Sequence, residues 1–272
     1  AARFFYRIPK RKVGIIMFGD EFQAAGNAAK NKLGLLEKNP LGYVMSSIMA
    51  GLHIAFGSIL MGVVGGTFTA GGAYSTKLVC GLVFSVGLCF VIMAGAELFT
   101  GNNFVMACGA LKKEVSWGKA VKLWIVCYLG NLIGSVVGGG LFTLTGLATG
   151  DVGAFLANAA AAKIAGEPMQ LFAKAILCNI CVCLAVWCSI KMKTEGGKIA
   201  MAVAGVVTFV TCGFEHSIAN MTFFTIGLLN PNGAAVNMGG CLYNLLIVTV
   251  GNMIGGILFV AVPYYLISKS KK

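Results

Sequence analysis

The chain has 272 residues, of which 58% are apolar and only 11% charged, with a mean hydropathy of +0.86 and a formal net charge of +12. A soluble domain carries about twice that charged fraction, and a water-soluble enzyme of this composition would expose more apolar surface than stays dispersed. The chain is therefore read as a polytopic all-α membrane protein; its basic residues flank the apolar runs, so nucleic acid is not expected as a partner.

The first segment, 1–41, is basic. Ala1–Lys12 lacks a small-residue site closing a short apolar region, so it does not read as a cleavable signal peptide, and Met17 is a candidate natural start. Over Asp20–Lys38, Phe22, Ala25, Ala29, Leu33 and Leu36 recur at helical spacing among polar residues, which predicts an amphipathic helix on the membrane surface. Residues 42–268 then form one transmembrane domain of six spans, since about 20 apolar residues cross a hydrocarbon core. The spans fall near 42–66, 77–94 (continuing to about 111), 119–146, 169–190, 198–211 (continuing to about 229) and 240–267. Residues 269–272 are a short tail. Ten cysteines sit mostly inside the apolar runs, as Cys178, Cys181 and Cys183 do, without the paired spacing of a zinc site. They read as small buried hydrophobes, and neither a metal nor a cofactor is expected.

Lys and Arg set the orientation. Residues 1–41, the 112–122 segment, the 191–198 loop and the tail carry 18 of them, against Lys77, Lys163 and Lys174 on the alternate segments. The positive-inside rule then places both termini in the cytoplasm and the chain in the inner (plasma) membrane.

Of nine acids, only Glu97 and Glu215 fall within apolar spans. A charge at membrane depth is expensive and marks a functional position by default. Both lie in Gly-x-Glu-x-x-x-x-Asn, at Gly95–Asn102 and Gly213–Asn220, and each is followed by Gly-Asn-x-Ile-Gly, at Gly130–Gly134 and Gly251–Gly255. Two echoes in the same order at nearly equal offsets indicate an internal duplication, about 42–146 and 169–267. Three spans per copy is an odd number, so the copies insert with opposite topology. Gly and polar residues in mid-span predict that spans two and five are broken there, facing protein or a water-filled cavity. Glu97 and Glu215 are then expected to accept the loose N–H groups of the two breaks.

His216, beside Glu215 in the second break, titrates near neutrality when unperturbed and can offer a proton or a cationic hydrogen bond. His53 in span one reads instead as a packed, hydrogen-bonded residue. Thr100 in the first break offers a hydroxyl to an anion or caps the following half-helix. Half-helices beginning after Thr100 and after His216 would aim positive dipole ends inward, which favours an anion. Lys163, after the small-residue run Asn158–Ala162, reads by composition as a solvated loop charge.

The segment Gly213-Phe214-Glu215-His216-Ser217-Ile218-Ala219-Asn220-Met221, with Ala94–Thr100 and Leu177-Cys178-Asn179 in support, resembles the formate/nitrite transporter family, which includes formate, nitrite and hydrosulfide channels. The resemblance runs from about Asp20 to Lys269. It implies an aquaporin-like six-helix bundle, a homopentamer with one pore per subunit, and a small monovalent anion or its conjugate weak acid as substrate. It also implies that His216 is the central pore histidine with Thr100 its partner, that Lys163 makes a vestibule electropositive, and that Leu88 and Phe209 are apolar constrictions on either side. Asn179 and Asn220 match asparagines that line or brace the pore. Gly101-Asn102-Asn103 stands where several formate channels carry smaller hydroxyl residues. A neutral-solute channel would need paired Asn-Pro-Ala boxes, which are absent; a membrane enzyme would need a converging catalytic set, which Glu215, His216 and Ser217, adjacent on one segment, cannot form.

Overall fold

The structure, a computed structural model, describes residues 17–269. The remainder of the N-terminal segment and the end of the tail lie outside the described residues, including the five basic residues before Met17 on which part of the orientation argument rests.

Every described element is helical. In chain order they are α1 (Gly19–Lys38), α2 (Pro40–Ala70), α3 (Thr76–Ala94), α4 (Phe99–Leu111), α5 (Trp117–Leu144), α6 (Gly150–Ile164), α7 (Pro168–Lys191), α8 (Glu195–Thr211), α9 (Ser217–Leu229) and α10 (Met238–Gly256). A π-turn at Ile257–Ala261 precedes Pro263 and joins α10 to α11 (Val262–Ile267). Helices α2, α3, α5, α7 and the α10–α11 unit are long and apolar enough to cross a membrane. Spans two and five are divided, α3 from α4 and α8 from α9, at the positions expected from Glu97 and Glu215.

The two halves correspond element by element: a short leading helix (α1, α6), a long span (α2, α7), a broken span (α3–α4, α8–α9) and a closing span (α5, α10). Within each half the first and last spans pack directly on each other, α2 on α5 and α7 on α10, and α3 crosses to α8 between the halves. The repeated Gly-Asn-x-Ile-Gly explains this close packing. A Cβ on Gly134 would run into the Ile48 carbonyl and one on Gly255 into the Ile176 carbonyl, so each glycine lets two backbones touch. The second half-helices are the core: every residue of α4 from Phe99 to Ala110 is buried.

Two elements differ from the sequence expectation. Helix α1 forms as expected, but its apolar stripe faces protein rather than lipid: Phe22, Ala25 and Ala29 are fully enclosed, mainly by α4. The Phe22 ring lies 6.3 Å from that of Trp187 and 5.7 Å from that of Tyr265. An amphipathic period says only that one face leaves water, not what covers it. Lys163, read as a loop charge, instead lies near the end of a helix, α6 (Gly150–Ile164), whose small residues let it lie against α2 and α9.

Candidate functional site

Each break begins with a glycine in the left-handed region, Gly95 at φ 78° and Gly213 at φ 72°. A side chain there would strain the backbone, and the helix closes behind it through Ala96 N–H to the Val91 carbonyl and Phe214 N–H to the Phe209 carbonyl, at 3.0 and 2.9 Å. The chain then runs extended for a few residues before the second half-helix starts.

What holds these extended segments is the asparagine of the second motif. Asn131 Oδ1 accepts from Phe99 N–H at 2.9 Å, while its Nδ2 donates to the Ser47 and Glu97 carbonyls at 2.7 and 2.9 Å. Asn252 does the same in the other half, accepting from Ser217 N–H at 2.9 Å and donating to the Ala175 and Glu215 carbonyls at 2.8 and 2.9 Å. One amide side chain thus satisfies both a donor and acceptors of a loop outside any helical ladder.

The expectation that Glu97 and Glu215 tie down backbone N–H groups is corrected accordingly. The Glu97 and Glu215 N–H groups themselves go to the Ser46 and Lys174 carbonyls. Their carboxylates accept from side chains instead. Glu97 pairs with Lys32 Nζ at 2.6 Å and accepts from Asn102 Nδ2 at 2.8 Å. Glu215 pairs with Lys163 Nζ at 3.0 and 3.1 Å and accepts from Asn220 Nδ2 at 2.7 Å. A bare carboxylate at this depth requires a counter-charge, which backbone dipoles alone do not supply. Lys163 is therefore not a solvated loop charge: it sits near the end of α6 with 18% of its side chain exposed, against 8% for Glu215. Lys32 on α1 is its counterpart in the other half, so each broken span carries one Lys–Glu–Asn set.

His216 and Thr100 meet between the breaks. His216 is the residue before α9, and its Nδ1 accepts from Ala219 N–H at 3.1 Å, capping the half-helix. Thr100 lies in the first turn of α4, which is preceded by Leu98; the threonine hydroxyl does not cap it. Thr100 Oγ1 lies 3.0 Å from His216 Nε2. With Nδ1 accepting, the neutral ring carries its proton on Nε2 and donates it to the hydroxyl. A cationic ring would set two N–H groups against each other at Ala219, so the cap selects the neutral tautomer. Both residues are buried, and the Phe209 ring stacks on the imidazole at 5.7 Å and 16°.

Two cavities approach this contact from opposite ends of the bundle. One, about 380 Å³, is lined by Lys163, Glu215, His216, Phe209, Asn220 and residues at the start of α3. The other, about 390 Å³, is lined by Lys32, Glu97, Asn102, Leu88, Gly101 and residues at the end of α7. Phe209 and Leu88 thus border different cavities, and both are almost fully buried. Asn179 lines neither. It is fully enclosed and donates to the Thr100 and Asn252 carbonyls, at 3.3 and 2.6 Å, and to Asn103 Oδ1 at 3.1 Å.

Sequence reasoning missed Asn131, Asn252 and Lys32. The two asparagines lay inside a repeat it had found, and an amide at membrane depth, repeated at nearly the offset of the acids, was the available signal. Lys32 carried none, because its helix read as a surface anchor.

A bundle of two corresponding three-span halves, with a lysine-bearing cavity on either side of the buried His216–Thr100 contact, has the form of a membrane channel or transporter. A profile described as Formate/nitrite transporter matches residues 20–266. The nitrite transporter NirC of Escherichia coli (strain K12) is 35% identical over 254 residues, covering 92% of either chain. A solved FNT family ion channel superposes with a TM-score of 0.86 at 32% identity, over 91% of this chain and 98% of that one. A pentameric formate channel with formate bound gives 0.72 at 30% identity, over 85% and 98%. The chain belongs to the formate/nitrite transporter family.

Proposed function

We propose that this chain is a channel subunit that passes a small monovalent anion or its conjugate weak acid, of the size of formate, nitrite or hydrosulfide, as a homopentamer in the inner (plasma) membrane with both termini cytoplasmic. The nitrite transporter and the formate-bound channel among its relatives support the substrate class, and the described basic loops support the orientation.

The observation that carries the reading is the His216–Thr100 contact, 3.0 Å long and buried between two cavities that each hold a lysine. Lys163 and Lys32 draw an anion into either cavity, although each is balanced by a glutamate. Desolvating a bare charge past Phe209 and Leu88 is expensive, whereas a neutral weak acid crosses at far lower cost. The neutral His216 donates through Nε2–H to the anion in place of Thr100, and a proton arriving from the aqueous cavity completes the acid. Sulfate, which keeps two charges, is rejected. Asn220 and Asn179 act as braces on the two sides of this contact.

Flux into proteoliposomes for formate, nitrite, hydrosulfide, chloride and sulfate at two pH values tests this. Weak-acid anions should pass, faster at the lower pH, with sulfate excluded. In His216→Ala the seal opens to water, a bare anion no longer needs neutralising, and most of the pH dependence should vanish. An unchanged pH profile would leave His216 as a helix cap alone. Water or glycerol flux without anion flux would move the chain to the neutral-solute class.

A further inference from the structure

The chain holds a second histidine that this pathway does not use. His53 lies near the middle of α2, far from either end of the span. It is packed, as the sequence reading expects, but it is not hydrogen-bonded: its Nδ1 is enclosed without a partner, and the ring makes no hydrogen bond among the described residues. It borders neither cavity of the pathway. Its ring rests 5.8 Å from that of Phe90 on α3, a side chain that is 44% exposed and so points out of the bundle. A polar ring in the hydrocarbon zone normally faces the bundle interior or a partner, because lipid tails offer it no hydrogen bond.

The outward face beside His53 has a definite shape. Met45, Met49, Phe56, Leu60 and Val63 are all exposed, and His53, itself 8% exposed, stands at the edge of that series where its one gap falls. Steps of four and three residues keep all six side chains within about 80° around the helix axis, the narrow seam that a packed helix presents. Helix α5 is different: its exposed residues, running from Trp117, Ile125 and Ile133 through Val137 to Leu144, spread around more than half its surface, the breadth expected of a face wetted by lipid.

We propose that the α2 seam is covered by a second copy of this chain, and that His53, whose Nδ1 is closed inside its own subunit, donates from Nε2–H across that subunit contact. A cyclic assembly joins one face of each subunit to a different face of the next, so the partner surface is not the α2 seam itself. The proposal rests on the homo-oligomer reading above and goes beyond it by assigning the face and the polar anchor.

Two measurements on the full chain in detergent test it. First, Phe56→p-benzoylphenylalanine, irradiated in the intact oligomer, should give a ladder of cross-linked copies; adducts with detergent or lipid only would overturn the assignment of the face. Second, the fraction of dissociated subunits is followed by native mass spectrometry as a denaturing detergent is added. Loss of one interhelical hydrogen bond in a membrane shifts dissociation by about three- to tenfold per contact. His53→Leu should show that rise while helix content stays constant, and His53→Gln, which still donates, should recover most of it. His53→Leu as persistent as the unsubstituted protein would remove the anchoring role. A protein that is monomeric before any substitution would instead refute the oligomer reading itself.

Discussion

Replacing Asn252 by alanine removes the brace of the second break without touching either cavity wall. Three contacts go: the acceptor for Ser217 N–H and the donor to the Ala175 and Glu215 carbonyls. Ala175 lies within α7 and keeps the helix's own bonding, so the loss falls on Ser217 N–H and the Glu215 carbonyl, in and beside the extended segment. A buried group left unpaired costs about 1–3 kcal/mol, while interhelical hydrogen bonds measured in membranes average about 0.6 kcal/mol. Two such groups give an expected destabilisation of about 1–6 kcal/mol. Denaturant titration of the solubilised protein, followed by circular dichroism, reads this directly. Weak-acid flux should fall with it, because the segment carries His216. Asn252→Asp keeps the acceptor but turns a carboxylate toward two carbonyls, so it should do no better than alanine. The mirror substitution Asn131→Ala should cost less, because it strands Phe99 N–H while the Glu97 carbonyl keeps the Cys127 thiol as donor at 3.1 Å. Stability within about 0.5 kcal/mol of the unsubstituted protein, the range of a neutral surface change, together with normal flux would refute the bracing argument.

Lys163→Gln strands Glu215 with Asn220 as its remaining side-chain partner; breaking a buried pair on one side costs about 3–5 kcal/mol. It should therefore lower both stability and flux, and Lys163→Gln combined with Glu215→Gln should recover stability more than flux, as thermal unfolding and liposome assays will show. Acid should loosen α1. Outside the membrane, Glu114 accepts from Lys30, 2.7 Å away, and from Gln23, and this bonding holds its carboxyl below the usual carboxylate value. A depressed value in the folded state means that the contribution is complete above the ordinary value, about 4, and is lost as pH falls through the lower folded one. Protection of the Gly19–Lys38 amides, taken as the exchange rate relative to the intrinsic rate at each pH, should fall over that acidic window, and Glu114→Gln should make that protection nearly independent of pH there. A window that persists in Glu114→Gln would assign it to another group.

Much of this architecture was legible in the chain because the membrane restricts what a sequence can do. Apolar length and basic flanks are one-dimensional properties, so the spans, the asymmetry of the loops and the duplicated Gly-x-Glu signal could be read without coordinates. The glycines before Glu97 and Glu215 announced the breaks for a local reason, a backbone angle that other residues resist. The leading helices were less legible. The period of α1 predicted a helix but not its cover, and the small residues of α6 left Lys163 reading as a loop charge because their packing partners lie far away in sequence.

By itself, then, the sequence determined the six spans, their duplication and inversion, the two breaks, and His216 and Thr100 as the polar residues between them. Only the tertiary structure decided who pairs with whom. It gave Lys32 and Lys163 to Glu97 and Glu215, handed the loose backbone of each break to Asn131 and Asn252, and turned His216 so that its capped Nδ1 leaves Nε2–H for Thr100. The reason is physical: a buried charge or amide must find a partner, but that requirement names no partner. Distance along the chain says nothing of which helix will supply it until the inverted halves have closed on each other.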